Sequence, residues 1–80
     1  MSGFRSVNIR LKSVDDVNEF VALASLNQGD VDVRSDRYVV DAKSILGVLS
    51  LDLKKALTVD IYAGDLEEKL KKFIIEKQDN

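Results

Sequence analysis

The chain has 80 residues, 45% hydrophobic and 32% charged, with 12 Lys and Arg against 14 Asp and Glu and a net charge of −2. It contains no histidine, cysteine, proline or tryptophan. That composition excludes disulfides, thiolate metal centres, cysteine nucleophiles and imidazole chemistry, and without a basic block it argues against nucleic acid or an anionic membrane as partner.

A metal site would have to be built from oxygen ligands alone, and no acidic loop is spaced for one, so neither metal nor cofactor is expected. A chain of this size supports one domain over residues 1–80 with one small core. No apolar run approaches the ~20 residues of a membrane span, and the N-terminus lacks a signal-peptide pattern. The expectation is a soluble cytoplasmic protein.

Val7, Ile9 and Leu11 alternate with Asn8 and Arg10, which predicts a strand with one buried face. Ser13 with Asp16 three residues on is a capping-box-like start for a helix whose apolar positions are Val14, Val17, Phe20, Val21 and Ala24. Asn27-Gln28-Gly29 supplies its stop. Val31 and Val33, then Arg37 to Asp41 after the polar turn Ser35-Asp36, read as a hairpin over residues 30–42. Residues 44–51 predict a short helix beginning at Ser44. Leu57, Val59, Ile61 and Ala63 alternate as the cleanest strand. Gly64-Asp65 opens a last helix, with Asp65 and Glu68 as its cap signal and Leu66, Leu70, Phe73 and Ile74 as its apolar stripe. Glu67 with Lys71 and Glu68 with Lys72 stand in favourable i,i+4 order, and Lys77 to Asn80 are expected to fray. The order is βαββαβα, an α+β sandwich with helices on one face of an antiparallel sheet.

The short helix does not fit a purely structural reading. At about 100° per residue, Ile45, Leu46 and Leu49 share one arc while Val48 and Leu51 fall on the opposite arc. So small a chain has no second layer to bury both faces. Val48 and Leu51 are therefore expected in the core, leaving Ile45, Leu46 and Leu49 as an exposed patch for a protein partner. Ser44 at the helix start is a natural cap. A phosphate on it would also be tolerated at the positive end of the helix, and would set about two negative charges beside the patch. Asp15 and Asp16 are better read as first-turn stabilisers than as an acid–base pair, because adjacent helical residues point about 100° apart.

Lys43-Ser44-Ile45-Leu46-Gly47-Val48-Leu49-Ser50-Leu51 closely resembles the regulatory-serine segment of HPr, the small phosphocarrier protein of the bacterial sugar phosphotransferase system. Phe4 and the first strand, Ala24-Ser25, Asp30-Val31 and the hairpin align without a gap, so the resemblance spans about residues 3–75. It implies the HPr open-faced sandwich, a four-stranded antiparallel sheet with three helices on one face, with a ferredoxin-like arrangement as the lesser alternative. HPr carries phosphate on a histidine at the start of its first helix. In register, Ser13 stands at that histidine, Asp15 at its arginine partner and Asp16 at the following proline, so the resemblance implies a degenerate active site, not an enzyme. An acidic Asp15 would oppose an acidic partner such as enzyme I. Residues 52–56 lack the family's glycines, and the second helix is expected to continue to about Lys55.

The resemblance also implies that Ser44 is the target of an HPr kinase/phosphorylase, and that the phosphorylated form binds a transcriptional regulator of carbon catabolism through Lys43, Ile45, Leu46 and Leu49. Two other functions stay open. One is a phosphocarrier in phosphoenolpyruvate-dependent sugar transport using an unusual acceptor, and the other an HPr scaffold with an unrelated partner, in which Ser44 is only a cap.

Overall fold

The computed structural model describes residues 3–75. Its elements run β1 (Arg5–Ile9), α1 (Val14–Leu26), β2 (Val31–Arg34), β3 (Val39–Asp41), α2 (Ile45–Leu49), β4 (Leu57–Ile61) and α3 (Leu66–Lys69). The four strands form one antiparallel sheet in the order β1-β4-β2-β3.

Period-two alternation decides which way each strand faces. The register Val7↔Val59↔Val33↔Val40 carries one apolar row across all four strands. Ile9, Val31, Leu57 and Ile61 extend that face, and Val17, Phe20, Val21 and Ala24 of α1 close over it. α1 in turn packs against α2 and α3. Val48 and Leu51 enter the same core from the α2 region, and Leu66, Leu70 and Phe73 from the last segment. The three helices lie on one face and the other is open, as expected. The ferredoxin-like alternative fails on strand order, because it would place β3, not β4, between β1 and β2.

The boundaries differ from expectation in ways that have physical causes. β1 stops at Ile9, and Leu11 is buried from the following loop because Arg10 N–H turns to the Phe73 carbonyl at 3.0 Å. Ile75 N–H donates to Asn8 O at 2.9 Å and Ile74 bridges Ile9, so the C-terminal segment covers the outer edge of β1. Val14, expected on the apolar stripe, is exposed. β4 ends at Ile61, and Ala63 is exposed too.

α3 is only four residues long. Its N-cap Asp65 makes no side-chain cap bond, against expectation, and after Lys69 the chain runs through tight turns that swing Phe73 and Ile74 towards β1. Without a continuous helix the two expected i,i+4 pairs do not form. Glu67 instead binds Arg5, Glu68 binds Lys71, and Lys72 reaches Glu19 on α1. Residues Lys77 to Asn80, expected to fray, lie outside the described residues.

A seam joins the end of α1 to the β4–α3 loop. Asn27 Nδ2 donates to Gly29 O at 3.1 Å and to Ala63 O at 2.8 Å, while Lys43 Nζ donates to the Asn27 carbonyl at 3.0 Å. Gly64 completes the seam with φ +90, a conformation that suits glycine.

Candidate functional site

The start of α2 is built from the β3 end upward. Asp41 Oδ1 accepts Lys43 N–H at 2.9 Å and its carbonyl accepts Ser44 N–H at 3.0 Å, a side-chain and backbone turn that sets the direction of the next residues. Ser44 is extended, and its Oγ accepts Gly47 N–H at 3.1 Å while its carbonyl accepts Val48 N–H at 3.0 Å. The cap expected at this serine is therefore present. Gly47 has a packing reason. A Cβ there would stand 3.2 Å from Val40 Cβ and 3.3 Å from Ser44 Oγ, so glycine lets the helix lie close to β3.

The two arcs of α2 separate as the wheel predicts. Val48 is fully buried and Leu51 nearly so, whereas Leu46 is 77% exposed, Leu49 40% and Ile45 38%. Lys43, expected among the partner-binding residues, immediately precedes the capped serine. It is half-buried, and its ammonium donates to the Asn27 carbonyl, which makes it a tether between α1 and the turn before α2.

The expected continuation of this helix to Lys55 is not seen. Ser50 N–H donates to the Leu46 and Gly47 carbonyls, and Ser50 Oγ donates to Gly47 O at 2.6 Å, which closes the helix at Leu49. Leu51 then drops into the core, and Asp52 Oδ1 accepts Lys54 N–H at 3.1 Å in a turn of its own.

At the start of α1, Ser13 Oγ accepts Asp16 N–H at 3.1 Å and Asp16 Oδ2 accepts Lys12 N–H at 2.8 Å. The carboxylate thus reaches one residue further back than in a standard capping box. Asp15 is exposed beside it. Both acids sit in the first turn, where they complement the helix dipole. Between this helix start and the 51–54 turn lies an open cleft of about 560 Å³, walled by Leu11, Val14, Leu51 and Leu53. Lys12 and Lys54 stand at its rim, and Arg10 Nε at its side is buried without a hydrogen-bond partner among the described residues.

On the open face, alternation alone would leave Asp60 solvated, yet it is only 4% exposed. Ser6 Oγ donates to its Oδ1 at 2.7 Å, and Arg34 Nε donates to its Oδ2 at 2.7 Å. Burial pushes this carboxyl up, but the bonds from Arg34 and Ser6 outweigh it and hold Asp60 below the usual carboxylate range. A lowered folded pKa contributes stability that is present above the unfolded value and is lost as pH falls through the folded one. Arg34→Ala is accordingly expected to lower Tm by roughly 5 °C near neutral pH, with the gap to wild type closing as acid protonates Asp60. Thermal melts across the carboxylate range check this, and a pH-independent gap would refute it.

Sheet order and helix placement define an open-faced α+β sandwich, in which a capped serine opens the half-exposed helix α2. The family model described as the PTS HPr component phosphorylation site matches residues 15–74. A solved structure titled the crystal structure of HPr-C-His from Thermoanaerobacter tengcongensis is similar, at 28% identity, with 84% of this chain and 83% of that chain covered and a TM-score of 0.69. Comparison with curated proteins gives no match. The chain belongs to the HPr family of the phosphotransferase system, a family of phosphocarriers that interact with other proteins of that system. Among the described residues no helix is long and apolar enough to cross a membrane.

Proposed function

We propose that this chain is a regulatory, non-catalytic member of the HPr family, which docks protein partners through α2 and is switched by phosphorylation of Ser44. The observation that carries the reading is the division of α2. Val48 and Leu51 hold the helix to the core while Leu46, Leu49 and Ile45 present an apolar patch directly after the serine. The sequence supports regulation over transfer, since 80 residues contain no histidine to carry phosphate. At the α1 start, Ser13 and Asp16 cap the helix, and Asp15 places negative charge where an incoming phosphoryl group would be repelled.

In the proposed switch, the Ser44 hydroxyl oxygen attacks the γ-phosphorus of ATP, the bond to the β-phosphate oxygen breaks, ADP leaves and the hydroxyl proton is released. A phosphoryl oxygen then takes over the Gly47 N–H, so the cap is kept while the patch gains a dianion. The partners by resemblance are an HPr kinase/phosphorylase and a carbon-catabolite transcriptional regulator.

Incubation with an HPr kinase and ATP, read by intact mass, is expected to add one phosphate to wild type and none to Ser44→Ala. Unmodified wild type, or equal labelling of the variant, would sink the switch. Enzyme I with phosphoenolpyruvate is expected to leave the protein unlabelled, and labelling there would establish the phosphocarrier reading instead.

A further inference from the structure

The open face of the sheet carries an arrangement that α2 docking does not use. The register sets Ser6 beside Asp60, Asp60 beside Asp32, and Asp32 beside Asp41, so one row crosses all four strands and three of its four positions are carboxylates. The two ends of the row are not equivalent. At the β1–β4 end, Ser6 and Arg34 satisfy Asp60, and Arg34 spends both Nε and Nη2 on it, at 2.7 and 3.2 Å. At the β2–β3 end no ion pair to Asp32 or Asp41 forms among the described residues.

Like charges directly opposite each other weaken strand pairing. The strand least able to resist is β3, an edge of three residues whose ladder runs to β2 alone. Asp41 is also the residue whose carboxylate and carbonyl hold the Lys43 and Ser44 amides. Strain on the Asp32–Asp41 pair therefore bears directly on the turn that starts α2.

We infer that the Asp32–Asp41 pair is a proton-sensitive brake on β3: ionised, it loosens the β2–β3 pairing and the Ser44 turn, and protonated at Asp32, it lets both tighten. The inference stands on sheet register and does not require Ser44 to be phosphorylated. The groups facing Asp32 are Asp41 from β3, Asp60 and Tyr62 from the β4 side, Asp30 from the residue just before β2, and Arg34 along β2 itself. Burial first, then the charges of Asp41, Asp60 and Asp30, raise the Asp32 carboxyl above its ordinary range, and Tyr62 offsets only part of this. The sign is opposite to that of Asp60. A raised folded pKa adds stability in acid that is lost as pH rises through it.

Hydrogen exchange by NMR tests the brake at two amides, Ala42 N–H, which bonds Val31 O at 2.9 Å, and Ser44 N–H, which bonds Asp41 O. In Asp32→Asn both should be protected about 1.4- to fivefold more than in wild type near pH 7, the range to which the free energy of one cross-strand pair converts. After correction for intrinsic exchange, wild-type protection at the same amides should rise between about pH 7 and about pH 4, where carboxylates titrate, and the variant should stay flat. Glu68→Gln removes the same charge at a site remote from the row and should leave both amides unchanged.

Equal protection in wild type and Asp32→Asn, or an equal gain in Glu68→Gln, would overturn the proposal. If Asp32→Asn proved poorly folded, the wild-type titration would decide alone: protection that fails to rise in acid refutes the brake.

Discussion

Leu46→Asp is expected to cut the efficiency of Ser44 phosphorylation by an HPr kinase about thirtyfold or more, with no loss of thermal stability. Truncation of a residue that anchors an interface typically costs at least 2 kcal/mol of binding, which converts to that factor. Leu46 is the most exposed apolar side chain of α2, so a carboxylate there remains hydrated in the free protein and costs the fold nothing. The contrast is Val48, two residues on and fully buried, where the same substitution would place an unpaired charge in the core. Kinase progress curves by intact mass, together with a melt of each variant, separate the two effects. A Leu46→Asp protein phosphorylated as fast as wild type would mean that α2 is not the docking surface. A large drop in its Tm would mean that Leu46 packs against the domain.

What could be read from the sequence was what depends on near neighbours in the chain. The Ser13 cap and the two arcs of α2 are each fixed by residues three or four positions apart, and the hairpin expected over residues 30–42 by pairs five to nine apart; each is present, the hairpin with its strands at Val31–Arg34 and Val39–Asp41. The features that escaped reading depend on partners far away in sequence. Period two places Asp60 on the open face, but only strand order brings Ser6 and Arg34 to either side of it and leaves it buried. The α3 stripe of Leu66, Leu70 and Phe73 is correct as a list of core residues and wrong as a continuous helix. Pairing of Ile74 with Ile9 takes the chain out of helical geometry before Phe73 is reached. For the site, exposure of the patch was legible because a domain this small has one core to offer. The tether of Lys43 to Asn27 was not, since nothing local indicates that α1 ends beside that ammonium.

That tether ties the Ser44 region to the seam at Gly64, where a second large effect is expected. Gly64→Ala should lower stability by about 3–4 kcal/mol. About 1–2 of that comes from forcing an L side chain into the left-handed region at φ +90. The rest comes from Asn27, because an added Cβ would fall inside the contact distance of its Oδ1 and displace the amide from the Gly29 and Ala63 carbonyls, each bond worth about 1 kcal/mol. For a domain whose whole stability is on the order of 4–12 kcal/mol, that is a substantial share. Asn27→Ala removes the two bonds without the backbone strain and should cost less, about 2 kcal/mol. The double variant should lose less than the sum of the two, since the same bonds cannot be lost twice. Urea unfolding of the three proteins with an unchanged m-value checks this. Strict additivity would show that the methyl added at position 64 and Asn27 do not meet, and a neutral Gly64→Ala would show that the loop can relax out of its left-handed turn. The same set tests whether the seam matters at α2. If Lys43 is held through the Asn27 backbone carbonyl, a shifted α1 end should move the Ser44 amide resonance in Gly64→Ala more than in Asn27→Ala, which keeps that carbonyl in place.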